Sequence, residues 1–310
     1  MTMKRYWSFR PQMIKDQSKG IICIIIAAAG FSLMTLFVRL AGDIPTMQKA
    51  FFRNAFALVI AVATLIIKKE KFRIEKDYGA DVFFRCLFGT TGLIANFYAI
   101  DSLALADANM LNKLSPFFAI LISVPLLKEK PDKTDIAATV IAFTGALFII
   151  RPVPGNMEFI PSLIGLYGGF GAGTAYVFVR RAGKKGASTP VIVICFSLFS
   201  CLLSLPFILF NYVHMSPKQL GCLVLAGLSA AAAQFAITNA YKFAPASKLS
   251  VFDYLQVIFA AFWAMLIFKE TPTVMSIIGY IIIIGVAFIR WKKAQRGGHD
   301  ANHRKVLKEG

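Results

Sequence analysis

Apolar residues run along this chain in long unbroken blocks rather than in alternating or one-faced patterns. The blocks lie at about 20–40, 47–67, 82–101, 105–127, 134–151, 161–180, 188–211, 217–240, 245–268 and 273–291. A helix rising 1.5 Å per residue needs roughly 20 residues to cross about 30 Å of hydrocarbon, and each block is close to that length. The pattern predicts ten transmembrane helices, with loops too short to hold a separate soluble domain.

The blocks form two sets of five. Phe37-Val38-Arg39-Leu40-Ala41-Gly42 returns 141 residues later as Phe178-Val179-Arg180-Arg181-Ala182-Gly183. At the same offset Lys128-Glu129-Lys130-Pro131 returns as Lys269-Glu270-Thr271-Pro272, each time closing an apolar block. Two signatures sharing one offset indicate an internal duplication. An odd number of spans per copy makes the second copy enter the bilayer upside down. The expected fold is an all-α membrane protein with ten transmembrane helices as two inverted-topology five-helix repeats. The repeats are 19–152 and 161–293, joined by Pro152-Val153-Pro154-Gly155-Asn156. A cytoplasmic segment 1–18 precedes them, and a basic tail 294–310 follows that is polar enough to be disordered. Inverted repeats are a transporter architecture, with substrate held between the halves near mid-membrane.

Composition supports the membrane reading. The 310 residues are 57% hydrophobic and 16% charged, against about 25% charged in soluble domains. The net charge of +18 raises nucleic acid as a partner, but its distribution excludes that class. Basic residues crowd the N-terminal segment, the 68–76 loop, the 180–185 loop and the tail, which all fall on one side of a ten-span topology. This bias places both termini in the cytoplasm of a multi-pass inner-membrane protein. The basic start followed by Ile21 to Phe37 resembles a signal peptide, but its apolar run is long and nine spans follow, so it reads as an uncleaved first helix. Cys23, Cys86, Cys195, Cys201 and Cys222 lack CxxC spacing and read as small buried side chains. His214 is the only histidine before the tail and no P-loop is present, so neither a metal nor a nucleotide cofactor is expected, and the chain does not read as an enzyme.

Polar groups deep in membrane segments mark cavities or solute paths. In the fourth span Asn109, Asn112, Lys113 and Pro116 share one helical face, and Pro116 is expected to kink the helix. In the ninth, Leu249, Asp253, Gln256 and Ala260 form the corresponding stripe, and the offset places Asn112 on Asp253 and Lys113 on Tyr254. The expected substrate cavity lies between these two spans, with Asn96 and Tyr98 of the third span and Gln234, Asn239 and Tyr241 of the eighth completing it. The plainer reading is a Lys113–Asp253 ion pair that only joins the halves. Arg53 either snorkels outward or points inward to an anion. Asp101 and Asp107 flank an outer loop and are expected to be solvated. Gly165, Gly169 and Gly173 give the sixth span a bare face for packing within the monomer or across a homodimer seam. Gly30 and Gly171, at equivalent places, suggest that the first and sixth spans cross closely.

The run Asn96-Phe97-Tyr98-Ala99, then Asn109-Met110-Leu111-Asn112-Lys113-Leu114-Ser115-Pro116-Phe117-Phe118, ending at Lys128-Glu129, resembles the EamA type of the drug/metabolite transporter superfamily. Arg53-Asn54-Ala55-Phe56 resembles the arginine-containing segment of that family. The resemblance covers roughly 19–293 and implies a central cavity and alternating access. Members move amino acids, nucleotide sugars, amines, S-adenosylmethionine and drugs, many of them outward. The second copy departs from the pattern, with Leu255-Gln256-Val257 where the first has Leu114-Ser115-Pro116. The function expected is a secondary exporter of small polar or zwitterionic metabolites such as amino acids. Uptake or exchange of a nucleoside-type metabolite such as S-adenosylmethionine is the alternative. A non-transporting scaffold or a lipid-modifying enzyme is the reading from another class. The implied partners are a small-molecule substrate and the lipid bilayer, with a coupling proton or counter-substrate left open.

Overall fold

The computed structural model describes the backbone of residues 3–128, 133–151, 157–243 and 252–308, with the side chains of residues 3–18 and 294–308 outside the description. Among the described residues every regular element is a helix. They are α1 (Met3–Leu40), α2 (Thr46–Ile67), α3 (Lys76–Ser102), α4 (Leu105–Asn112), α5 (Ser115–Leu127), α6 (Lys133–Ile150), α7 (Phe159–Lys184), α8 (Thr189–Asn211), α9 (Pro217–Phe243), α10 (Leu255–Trp263) and α11 (Val274–Lys308). Among the described residues, eight stretches are long and apolar enough to cross a membrane, among them Leu105–Leu127, which joins α4 and α5. Two shorter apolar helices, Ile136–Ile150 and Leu255–Phe268, fall on the fifth and ninth expected spans. Large apolar side chains point outward, Ile67 at 80% and Phe210 at 86% exposure, as a lipid-facing surface requires. The helix α11 continues through Lys308, so most of the tail expected to be disordered is helical. Ala294, Gln295, Arg296, Lys305 and Leu307 are good helix formers that extend the membrane helix.

The two repeats interlock. The most extensive contacts join α3 to α7 and α1 to α9, and α2, α4 and α6 pack on α8, α10 and α11. Glycines set the closest crossings. A Cβ on Gly171 would sit 2.7 Å from the Cα of Gly92, and one on Gly30 would sit 3.0 Å from the Cβ of Ala233. Gly92 and Ala233 are 141 residues apart, as are Gly30 and Gly171. The expected crossing of the first and sixth spans is therefore corrected. Each glycine instead meets the third helix of the opposite repeat, and the two contacts are copies of one another. Gly169 and Gly173 press on the backbone of Leu111 and Ser115, so the bare face of α7 packs inside the monomer.

The same symmetry marks the ends. Lys128 (φ 54°) and Lys269 (φ 56°), also 141 apart, both close their spans in the left-handed conformation. At the end of the bundle opposite the termini, Arg39 of α1 pairs with Glu270 and donates to the carbonyl oxygens of Ile100 (3.2 Å) and Leu103. Glu270 in turn accepts from the backbone N–H of Leu105 at 3.2 Å. At the terminus end Asp81 accepts from Lys185 at 2.7 Å and pairs with Arg181 at 3.2 Å.

Candidate functional site

Two helix breaks build the centre of the molecule. Between α4 and α5 the ladder stops at Lys113 (φ −74°, ψ 4°) and Leu114 (φ −75°, ψ −8°). Pro116 is the physical cause in this copy: it donates no hydrogen bond, and its ring clashes with the carbonyl four residues back, at Asn112. The break thus falls one turn ahead of the proline. In the second copy Tyr254 (φ −69°, ψ −13°) precedes α10 at the equivalent place, although Val257 replaces the proline. There the Val257 N–H bonds Tyr254 O at 3.0 Å, three residues back, as Phe117 N–H bonds Leu114 O at 2.9 Å in the first copy. Both breaks free carbonyl groups in mid-span, and the Tyr254 hydroxyl donates to Lys113 O at 3.2 Å.

Around the breaks the expected polar stripes meet. Lys113 Nζ lies 2.7 Å from Asp253 Oδ2, with the two side chains only 7% and 11% exposed. Gln256 Nε2 donates to Asn109 Oδ1 at 2.7 Å, and Asn109 Nδ2 donates to Leu105 O at 2.8 Å and Thr35 Oγ1 at 3.3 Å. Asn109 and Gln256 are thus committed to one another, whereas Asp253 Oδ1 is buried without a hydrogen-bond partner. Asn112 is half-buried beside them and Gln234 is half-buried on α9. Asn96 is buried on α3 with its Oδ1 unpartnered. Tyr98 faces elsewhere, into an open apolar cleft of about 500 Å³ that Thr46, Met47, Ile94, Leu203 and Phe207 also border. The side chains of Asn239 and Tyr241, and residue Leu249, lie outside the described residues.

One further expectation changes, that for Asp107. Asp107 is buried, not solvated: the hydroxyls of Ser276 (3.0 Å) and Tyr280, both on α11, donate to its carboxylate. Asp101 accepts from the fully buried Lys49 at 2.5 Å.

Arginines supply what the polar stripes alone did not show. Arg53 of α2 is 5% exposed and turns inward, its Nη1 donating to Asn54 Oδ1 at 2.6 Å. Asn54 is held by Ser200 Oγ of α8 at 2.8 Å. Arg85 of α3 is 6% exposed, with its guanidinium carbon 4.2 Å from the centre of the Phe196 ring. The Nε of both arginines lacks a hydrogen-bond partner. In the sequence Arg85 has Asp81 one helical turn away, a spacing that favours a local ion pair. Arg181 and Lys185 of α7 take that carboxylate instead.

Known proteins resemble this chain over most of its length. The model of the EamA-like transporter family matches residues 18–151 and again residues 160–291, the two halves marked by the 141-residue repeat. The chain is similar to the pseudopaline exporter CntI of Pseudomonas aeruginosa (strain UCBPP-PA14), at 27% identity over 92% of this chain and 100% of that protein. It is also similar to human solute carrier family 35 member G1, at 25% identity over 89% of this chain and 81% of that one. One solved crystal structure superposes with a TM-score of 0.66 at 17% identity, covering 88% of this chain and 97% of the other, so the two share a fold.

Proposed function

The chain belongs to the EamA-like transporter family, and on that premise we propose that it is a secondary carrier that exports small polar or zwitterionic metabolites across the cytoplasmic membrane by alternating access. The observation that carries this reading is the buried Lys113–Asp253 pair at the broken midpoints of two inverted-repeat helices. A pair that merely joined the halves would not require both helices to interrupt their backbone ladders at the same level. Broken helices at a repeat interface supply polar backbone and side-chain groups to a solute in the middle of the membrane. Asp253 Oδ1 is then a free acceptor for an ammonium group, and the unpartnered Asn96 Oδ1 is a second buried acceptor. Exchange of the Arg39–Glu270 closure for an equivalent closure at the other end fits alternating access. The repeat offset maps these residues onto Arg180 and Glu129, the latter outside the described residues. The export direction is supported by the similarity to the Pseudomonas exporter, and cytoplasmic termini by the basic loops.

The test is transport by the purified chain in proteoliposomes loaded with a panel of amino acids and related metabolites. Time-dependent, saturable counterflow of at least one solute, lost in Asp253→Ala, is the expected result. A protein that binds solutes but moves none would refute the carrier reading.

A further inference from the structure

The middle of this bundle holds more positive charge than it neutralises. Arg53 from α2, Arg85 from α3 and Lys113 between α4 and α5 are all buried, and the carboxylate facing this group among the described residues is Asp253. Lys113 already uses Asp253, and Asp81, one turn from Arg85, is held at the terminus end by Arg181 and Lys185. Two guanidinium groups therefore remain without a counter-ion.

Neither arginine is reaching for the bilayer surface. The Arg85 side chain folds along α3 toward Gly89, deeper into the span, where a Cβ would sit 1.9 Å from its Nη1. A glycine at that position is what makes room for the guanidinium. Phe196 offers the ring face that a cation favours, but a ring face leaves the in-plane N–H donors free. Arg53 and Arg85 lie within electrostatic reach of each other and of Tyr176 on α7, and Tyr176 lies within reach of Asp253. Tyr176 thus stands among groups from three other helices, yet it keeps 40% of its surface accessible. Desolvated like charges near one another, with Nε donors unused, are costly unless a ligand or water answers them.

We infer that the region around Arg53, Arg85 and Tyr176 is a binding site for an organic anion carrying at least two acidic groups, which Arg53 and Arg85 each hold through their guanidinium forks. Planar guanidinium matches carboxylate and phosphate oxygens two at a time, and gains most where water is excluded. The inference rests on the carrier reading and narrows its substrate class: the transported metabolite has an excess of acidic over basic groups. An ammonium group on the same solute would meet Asp253 Oδ1.

The test is thermal unfolding of the full chain in nanodiscs with citrate, glutamate, glycerol 3-phosphate, lysine or glucose added. Saturable stabilisation by the acidic probes and none by lysine or glucose is expected, and citrate against glycerol 3-phosphate separates carboxylate from phosphate preference. Arg53→Gln and Arg85→Gln should each weaken the response about ten- to hundredfold, and Arg53→Lys and Arg85→Lys less. Phenylglyoxal labelling of the wild type, read by mass spectrometry at these two residues and slowed by citrate, tests the same point without a variant. Equal responses to all probes, or acidic-probe binding unchanged in the Gln variants, overturns the inference. Counterflow of a neutral or cationic solute with no anion binding would do so while leaving the carrier reading intact. Anion binding with no counterflow of any solute would sink the carrier reading instead.

Discussion

Tyr254 donates its hydroxyl to the backbone carbonyl of Lys113 at 3.2 Å, and the two residues are equivalent positions of the duplication, 141 apart. A residue that touches its own repeat copy lies on the pseudo-twofold axis, so this bond marks the axis at the level of both helix breaks. The second copy closes the break of the first with a side chain that the first copy does not have. Tyr254→Phe leaves the freed carbonyl unpaired in a buried setting. The expected loss is about 1–3 kcal/mol of stability, read as a lower unfolding temperature in nanodiscs with solute binding retained.

The ion pair beside it should behave as a coupled unit. Lys113→Met or Asp253→Asn alone strands a buried polar group and should cost about 3–5 kcal/mol. The double variant removes both charges and should recover much of that loss. A double-mutant cycle on unfolding measures the coupling, and additive losses would mean that the two groups are independently solvated.

Equivalence in sequence was easier to read than contact in space. The offset placed Asn112 on Asp253 and so brought α4 to α10, because both lie on the axis, where copies meet. Gly30 and Gly171 lie off the axis, where each copy meets a different partner, and the offset alone named the wrong pair. Asp107 looked solvated because it follows a short turn, while Ser276 and Tyr280, which bury it, come from the far end of the chain. Arg85 escaped notice because Asp81 sits one turn away, and only the three-dimensional structure shows that α7 claims that carboxylate.

The α3–α7 crossing has no room for a side chain. Gly171→Leu must push backbone apart at Gly92, and overpacking of this kind costs about 1–3 kcal/mol or more. Gly183→Ala, in the same helix, meets nothing within 4 Å and should be neutral or slightly stabilising. Thermal unfolding of the two variants side by side checks the contrast, and equal effects would show that the crossing is looser than described.

Closure at the end opposite the termini rests on Arg39 and Glu270, which tie α1 and the end of the ninth span to the turn between α3 and α4. Arg39→Ala or Glu270→Ala should raise the rate at which a single cysteine at Tyr176 reacts with a membrane-impermeant thiol reagent applied from that end. The endogenous cysteines are replaced first. The swapped pair Arg39→Glu with Glu270→Arg should return the rate toward that of the parent. Unchanged labelling in all three would show that the pair is not a gate.

Coupling turns on the second oxygen of Asp253. Oδ2 meets Lys113 and Oδ1 has no partner, so the group can hold a proton or a substrate ammonium on the free side. If alternating access draws Lys113 away in one state, the carboxylate loses its counter-ion there, and a coupling proton or the substrate ammonium takes that place until the pair re-forms. Asp253→Asn keeps the shape and removes the charge. Solute exchange should survive in this variant while accumulation driven by an imposed pH gradient is lost, and the pH dependence of exchange should flatten. Wild-type accumulation by Asp253→Asn under a proton gradient would assign the carboxylate to solute binding or to structure, and place the coupling ion elsewhere.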